Sequence, residues 1–163
     1  MLARAATADD AAAMAAIYNQ AIADRASTFE TRPRTPDDVA AWIGGPHPVL
    51  VVEDRGEVVA YAATFPYSAR DCYRGVAEFS VYVSRSVRGR GIGRVALSAL
   101  IDAAREAGFW KLVSKVFPEN LAIRRLNRSL GVREVGVHEK HARLDGIWRD
   151  VIVVELLIPE NIV

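Results

Sequence analysis

Reactive and metal-binding side chains are scarce in this sequence. There is one cysteine, Cys72, and there are three histidines, His47, His138 and His141, among 163 residues. A single cysteine excludes an internal disulfide and suits a reducing compartment. No histidine–cysteine spacing matches a metal site, and no nucleophile elbow supports a Ser-His-Asp triad. Excess charge is missing too: 21 Lys and Arg against 20 Asp and Glu leave a net charge of +1. That removes any general electrostatic reason to bind nucleic acid. No apolar run is long enough for a bilayer, and Asp9 and Asp10 interrupt the alanine-rich N-terminus before it could serve as a signal peptide. Repeats, low-complexity linkers and breaks in composition are also lacking. The expectation is one cytoplasmic domain over residues 1–163 with neither nucleic-acid nor membrane partners. His47, between prolines, reads as a solvated turn residue, and His138 and His141 as parts of a solvated strand end.

What is present is ample material for a core, with 51% hydrophobic and 25% charged residues, the balance of a globular domain. Leu2 to Ala6 reads as a strand. Thr7-x-x-Asp10 resembles a capping box opening a helix to about Ala23, with Met14, Ile17, Ala21 and Ile22 on its apolar face. A polar loop holding Phe29 follows. Thr35-Pro36-Asp37-Asp38 starts a second helix that Gly44-Gly45-Pro46 stops. Val49–Glu53 and Val58–Phe65 form a hairpin through Asp54-Arg55-Gly56-Glu57. Strands over 74–83 and 110–117 flank a long helix ended by Gly108. A helix over 119–130 leads to strands 132–140 and 147–157, joined through Leu144-Asp145-Gly146. The order β-α-α-β-β-β-α-β-α-β-β implies a mixed α/β fold, a sheet covered by helices on both faces.

The most informative stretch is Arg88-Gly89-Arg90-Gly91-Ile92-Gly93. It links a β-branched and aromatic strand, Glu78-Phe79-Ser80-Val81-Tyr82-Val83, to a helix N-terminus. Strand, glycine-rich turn and helix start together favour a phosphate: glycines allow close backbone approach, and free N–H groups and the helix dipole attract negative charge. Arg88, Arg90 and Arg94 place cations where a diphosphate would lie. Gly91-x-Gly93-x-x-Ala96 also satisfies the loose dinucleotide fingerprint. That reading, however, wants the loop in the first βα unit and an acidic residue ending the next strand, where Pro118 stands instead.

The Arg88-x-x-Gly91-x-Gly93 loop after such a strand resembles the acetyl-coenzyme A loop of the GNAT N-acetyltransferases, and the likeness extends over essentially the whole chain. Ile17-Tyr18-Asn19, Ser27-Thr28-Phe29-Glu30, Arg70-x-x-Tyr73 through Val83, and Gly146-x-Trp148-x-Asp150-Val151 are similar to the phosphinothricin-type amino-acid acetyltransferases in particular. The resemblance implies a mixed, splayed seven-stranded sheet with coenzyme A in the opening between the strand ahead of the loop and the strand after the long helix. Acetyl-CoA is then the co-substrate, a small-molecule amine the acceptor, and a homodimer the expected assembly, with Trp148 and Asp150 bracing the last hairpin and an interface.

Each site residue follows from the resemblance and from the chemistry. An α-amine of pKa about 8 is largely protonated near neutral pH, so a carboxylate must take its proton; Glu78 matches the family's base. A backbone N–H within Val81, Tyr82 and Val83, freed in the family by a bulge, is expected to polarise the thioester carbonyl and hold pantetheine. Arg88, Gly89, Arg90, Gly91, Ile92 and Gly93 form the cofactor loop, and Asn120 matches a family asparagine on the cofactor, with helix capping as its alternative. Asn127 stands where many GNAT enzymes carry a tyrosine acting as acid toward the thiolate; an asparagine can hydrogen-bond a thiolate but not protonate it. Arg70, Tyr73, Tyr82 and Phe29 match acceptor-pocket positions, Arg70 through its carboxylate-gripping fork, and Phe29 alternatively as an anchor beneath its loop. Protein N-terminal or polyamine acetylation, and non-catalytic acyl-CoA sensing, remain open alternatives.

Overall fold

The computed structural model describes residues 1–163. Seven strands alternate with helices as the patterning requires: β1 (Leu2–Ala5), α1 (Ala11–Asp24), α2 (Pro36–Ala40), β2 (Val49–Asp54), β3 (Glu57–Pro66), β4 (Val76–Val83), α3 (Ile92–Glu106), β5 (Lys111–Val116), α4 (Leu121–Ser129), β6 (Arg133–Leu144) and β7 (Ile147–Leu157). They form one mixed sheet in the order β1-β2-β3-β4-β5-β7-β6. Every neighbouring pair is antiparallel except β4 with β5.

β1 to β4 lie between helices. Val49 to Val52 of β2 are all buried, an apolar run that only a strand covered on both faces sustains. On one face, Met14, Ile17, Tyr18 and Ile22 of α1 pack with Val39 of α2, Val51 and Tyr61. On the other, Leu97, Leu100 and Ala104 of α3 pack with Val52, Ala60, Phe79 and Leu112. The side chains of α4, Ile123 and Leu126, join this second cluster. β5, β7 and β6 therefore have helices on the α3–α4 face alone, with Phe29 covering Val151 on the other, and β6 is exposed over most of its length.

Local differences from the sequence pattern have physical causes. A 3-10 turn over Ala8–Asp10 precedes α1, and α2 ends at Ala40 because Trp42 leaves the helix to pack edge-on against Phe65 at 5.3 Å. α4 starts at Leu121, since Asn120 stands outside it and its side chain accepts from the Ile123 N–H at 3.2 Å. β6 runs on to Leu144 through two register irregularities, with Lys140 in the left-handed region (φ 47°).

The junction of β4 and β5 positions the site. Gly75 O accepts from both Trp110 N (2.8 Å) and Lys111 N (3.3 Å). A Cβ on Gly75 would lie 2.0 Å from the Trp110 ring, so only glycine fits. Parallel pairing then covers just Val76, Ala77 and Glu78 against Lys111, Leu112 and Val113. Beyond Glu78 the strands part. No helix is long and apolar enough to cross a membrane.

Candidate active site

The opening between β4 and β5 is lined by backbone that the sheet leaves unused. Ser84 N bonds Val59 O, and with the register Ala60↔Val83 and Ala62↔Val81 this fixes which β4 residues face β3. Ser80 and Tyr82 do; Phe79, Val81 and Val83 turn their N–H and C=O toward β5. Phe79 O is met by Ser114 Oγ at 2.8 Å, and Val83 O by Arg88 Nε at 3.2 Å. Val81, between them and past the end of the pairing, has no strand partner on this side. The expected bulge is absent, for the β3–β4 register runs unbroken from Val76's neighbour Ala77 to Val83. Divergence of β5, not a distortion of β4, frees the N–H.

A cleft of about 710 Å³ runs from this opening between the loop 88–93 and α4. Val81, Val83, Gly91, Gly93, Asn120 and Leu126 line it. Gly91 caps α3 with φ 79°, and Gly89 has φ 81°, conformations natural to glycine alone. At Gly93 an added Cβ would sit 3.1 Å from Leu126 Cδ2 and 3.5 Å from Val83 Cγ2. The loop thus presents the first N–H groups of α3 and leaves room for a ligand's phosphates. These features fit acetyl-CoA.

The arginines differ from expectation. Arg88 Nη1 is 2.7 Å from Asp24, which also binds Arg85, and these guanidinium hydrogen bonds hold the Asp24 carboxyl below its usual range. Arg94 bonds Ser129 and so ties α3 to α4. Arg90 is exposed and unpaired. The cation count legible in the sequence therefore overstates the free charge by one, because Arg88 is paired with Asp24 while Arg94 hydrogen-bonds only the neutral Ser129.

A narrow throat of about 80 Å³ connects the cleft with the far face of the sheet. Val81, Tyr82 and Asn120 belong to both cleft and throat, while Ser80, Ser114 and Lys115 belong to the throat and to a groove of about 450 Å³ beyond it. Glu78, Tyr73, Tyr67, Lys111 and Glu155 line that groove. Glu78 is half-exposed, its carboxylate 3.6 Å from Lys115 Nζ. Tyr82 packs on Tyr18 (centroids 5.0 Å apart) and Tyr61 (5.5 Å). Burial pushes the Tyr82 hydroxyl pKa well up, so it stays a neutral donor.

Other sequence-selected residues fall elsewhere. Tyr73 lies in the groove with Tyr67 edge-on at 5.7 Å. Arg70 is exposed at the start of the 3-10 turn Asp71–Tyr73, outside the groove lining and without an ion-pair partner. Phe29 stands edge-on to Phe117 at 4.8 Å, packed with Leu144 and Val151, as an anchor of its loop. Asn127 is buried, its amide has no hydrogen-bond partner, and it is absent from the cleft lining. The sequence reading passed over Lys115, Ser80, Ser114 and Asp24. It also assigned nothing to Arg149, whose guanidinium lies 4.3 Å over the Phe117 ring at the cleft edge. One signal was available: Lys115 is a cation near the end of a strand, just ahead of Pro118-Glu119-Asn120.

Residues 14–132 match the acetyltransferase (GNAT) family. An L-methionine sulfoximine/L-methionine sulfone acetyltransferase of Salmonella typhimurium is 34% identical over 156 residues, covering 93% of this chain and 91% of its own. A phosphinothricin N-acetyltransferase of Streptomyces coelicolor is 31% identical over 142 residues, 83% of each. Among solved structures, a ribosomal-protein-alanine N-acetyltransferase from Brucella melitensis superposes with a TM-score of 0.92 at 33% identity, covering 97% of this chain and all of its own. An acetyltransferase from Salmonella typhimurium, solved with its cofactor acetyl-CoA, gives 0.91 at 34% identity, covering 96% and 93%. With a glycine-lined cleft leading to a throat between parting strands, the chain belongs to the GNAT family and is an acetyl-CoA-dependent N-acetyltransferase.

Proposed function

We propose that the protein acetylates the α-amine of a free amino acid or amino-acid analogue of the methionine sulfoximine, methionine sulfone or phosphinothricin type, with Glu78 as general base. The observation that carries this reading is the placement of Glu78 where β4 leaves β5. Its carboxylate faces the groove, and the throat beside it contains the unpaired Val81 backbone. Acetyl-CoA supplies the thioester, whose carbon–sulfur bond breaks as the bond from amine nitrogen to acetyl carbon forms. Glu78 receives the proton that the ammonium must lose. The Val81 N–H donates to the acetyl oxygen as it gains charge. Asn120 serves α4 as a cap and borders both cleft and throat, a position that supports a contact with the pantetheine arm. After attack the nitrogen sheds its second proton, which water relays to the departing thiolate, since a thiol of pKa near 8.5 leaves adequately without a protein acid.

The test is release of free thiol from acetyl-CoA with a panel of methionine sulfone, methionine sulfoximine, phosphinothricin, spermidine and a peptide with N-terminal alanine. Amino acids are expected to lead; a lead by spermidine or the peptide overturns the acceptor assignment. The peptide belongs in the panel because of the Brucella protein's name. A homodimer accompanies this reading. Val135, Val137, Ile147 and Trp148 are all exposed on the terminal hairpin, apolar surface that contact with a second copy would reduce. Sedimentation of a single monomeric species would remove it.

A further inference from the structure

The groove beyond the throat contains one positive group that the protein does not use up. Lys111 is held by Glu155 at 2.9 Å, and Glu155 is held again by Arg133 at 2.7 Å. Lys115 is different. Its sole ionic neighbour is Glu78, at 3.6 Å, beyond hydrogen-bonding distance. None of its three N–H donors has a hydrogen-bond partner in the protein, and its side chain is 45% exposed beside 41% for Glu78. Both side chains stand on the sheet face that carries no helix here, and Lys115 alone of the two lies in the throat as well as in the groove.

An α-amino acid carries the complementary pair. Its ammonium and its carboxylate are attached to one carbon, separated by about the reach of one hydrogen bond. If the ammonium meets Glu78, as the acetylation requires, the carboxylate is brought beside Lys115. We infer that Lys115 binds the α-carboxylate of the acceptor, so that Glu78 and Lys115 together recognise the zwitterionic head of a free amino acid. The inference rests on the function proposed above and extends it to the acceptor's head group. It moves the anion contact from Arg70, which lies outside the groove lining, to a cation beside the base. It also predicts that polyamines are poor acceptors, since a second ammonium in place of the carboxylate would face Lys115 and be repelled.

The experiment compares methionine sulfone with its primary amide, which keeps the amine and the tail and removes the negative charge. Substituting Lys115→Met should lower kcat/KM for the acid about ten- to a hundredfold, the usual loss for a charge-assisted contact, while the amide changes by less than about threefold. Lys115→Arg should restore most of the acid's rate. Acetyl-CoA affinity should hold in both variants, which reports an intact fold; if Lys115→Met does not fold, Lys115→Gln takes its place. Equal losses for acid and amide would mean that Lys115 acts through Glu78 or the thioester and would overturn the inference, as would an unchanged acid rate. A wild type that acetylates amino acids without favouring the acid form over the variants' preference overturns this inference alone. A wild type that acetylates peptides but no amino acid overturns the proposed function with it.

Discussion

The two halves of the sheet are built on different terms. β1 to β4 are sandwiched between α1–α2 and α3, and Val51, Val52, Ala60, Ala62 and Ala63 have no meaningful exposure. β5, β7 and β6 have helices on one face only, and the other face carries Lys111, Lys115, Glu155 and His138. The first half supplies stability and the second supplies open surface. The candidate site falls at the seam, where a well-held strand, β4, loses its neighbour and exposes backbone that a closed sheet would have paired. A polar backbone group is tolerable there because a ligand, or water, can reach it.

Substitutions can break that division or sharpen it. The largest effect is expected at the seam. Glu78→Gln keeps the shape of the side chain and removes its basicity, so turnover near neutral pH should fall about 10²–10⁴-fold. Acetyl-CoA affinity and melting temperature should stay near wild type, and the loss should shrink at high pH as the amine deprotonates unaided. An unchanged rate at pH 7 would return Glu78 to a mere partner of Lys115.

The cofactor side comes next. Gly91→Val places a branched residue at φ 79°, a conformation that L-residues avoid. The rise in melting temperature that acetyl-CoA gives the wild type should disappear, while NAD should give no rise in either protein. Stabilisation by NAD equal to that by acetyl-CoA would contradict the cleft's assignment.

A substitution in the sandwiched half should do the reverse and spare chemistry. Asp10 is buried, accepts from the Thr7 N–H at 2.8 Å, and accepts two hydrogen bonds from Arg4 (2.8 and 2.9 Å). Those Arg4 contacts hold its carboxyl below the usual carboxylate range. Protons are therefore bound less readily by the folded chain than by the unfolded one. The stabilisation is complete above about pH 4 and is lost as pH falls below it. Asp10→Asn should cost about 1–3 kcal/mol near neutral pH, lowering the melting temperature with kcat unaltered, and the gap to wild type should narrow in acid. A gap that widens in acid would overturn the sign.

The smallest effect is expected at Arg70. Being exposed and outside the groove lining, it should change the acceptor constant by less than about threefold when replaced by alanine. A ten- to hundredfold loss, the magnitude of a charge-assisted contact, would show that the loop closes over the acceptor.

Much of this was legible in the sequence, and for identifiable reasons. Element order, the hairpin turns and the phosphate loop are written in local chemistry: Arg55-Gly56 and Asp145-Gly146 take the paired left-handed conformations of tight hairpins, and Gly91 starts its helix where the pattern says. Long-range geometry was less accessible. That β4 and β5 part after Glu78 depends on pairing between segments far apart in the chain. Lys115 looked like any charge on a strand until that divergence put it in the throat. That Asn127 is buried outside the cleft lining could not be read from its position along α4, which does not reveal which way the helix is turned. The free charge of Arg88 was overstated because its partner, Asp24, is remote in sequence.

Gly75 and Trp110 make the vertex of a wedge. The two backbone bonds to Gly75 O pin one end of the gap, and the Trp110 ring, lying where a Cβ would be, admits no slack. Val83 lies about 26 Å along the strand from Gly75 at the ordinary strand rise, so a tilt of a few degrees at the vertex translates into about one to two ångströms at the far end. The width of the opening is thus set by leverage from a glycine that lines neither cleft nor groove. Widening the vertex would open the far end beside Val83 most and the end beside Glu78 least, so under the proposed function it would alter cofactor affinity more than the spacing of the reacting groups.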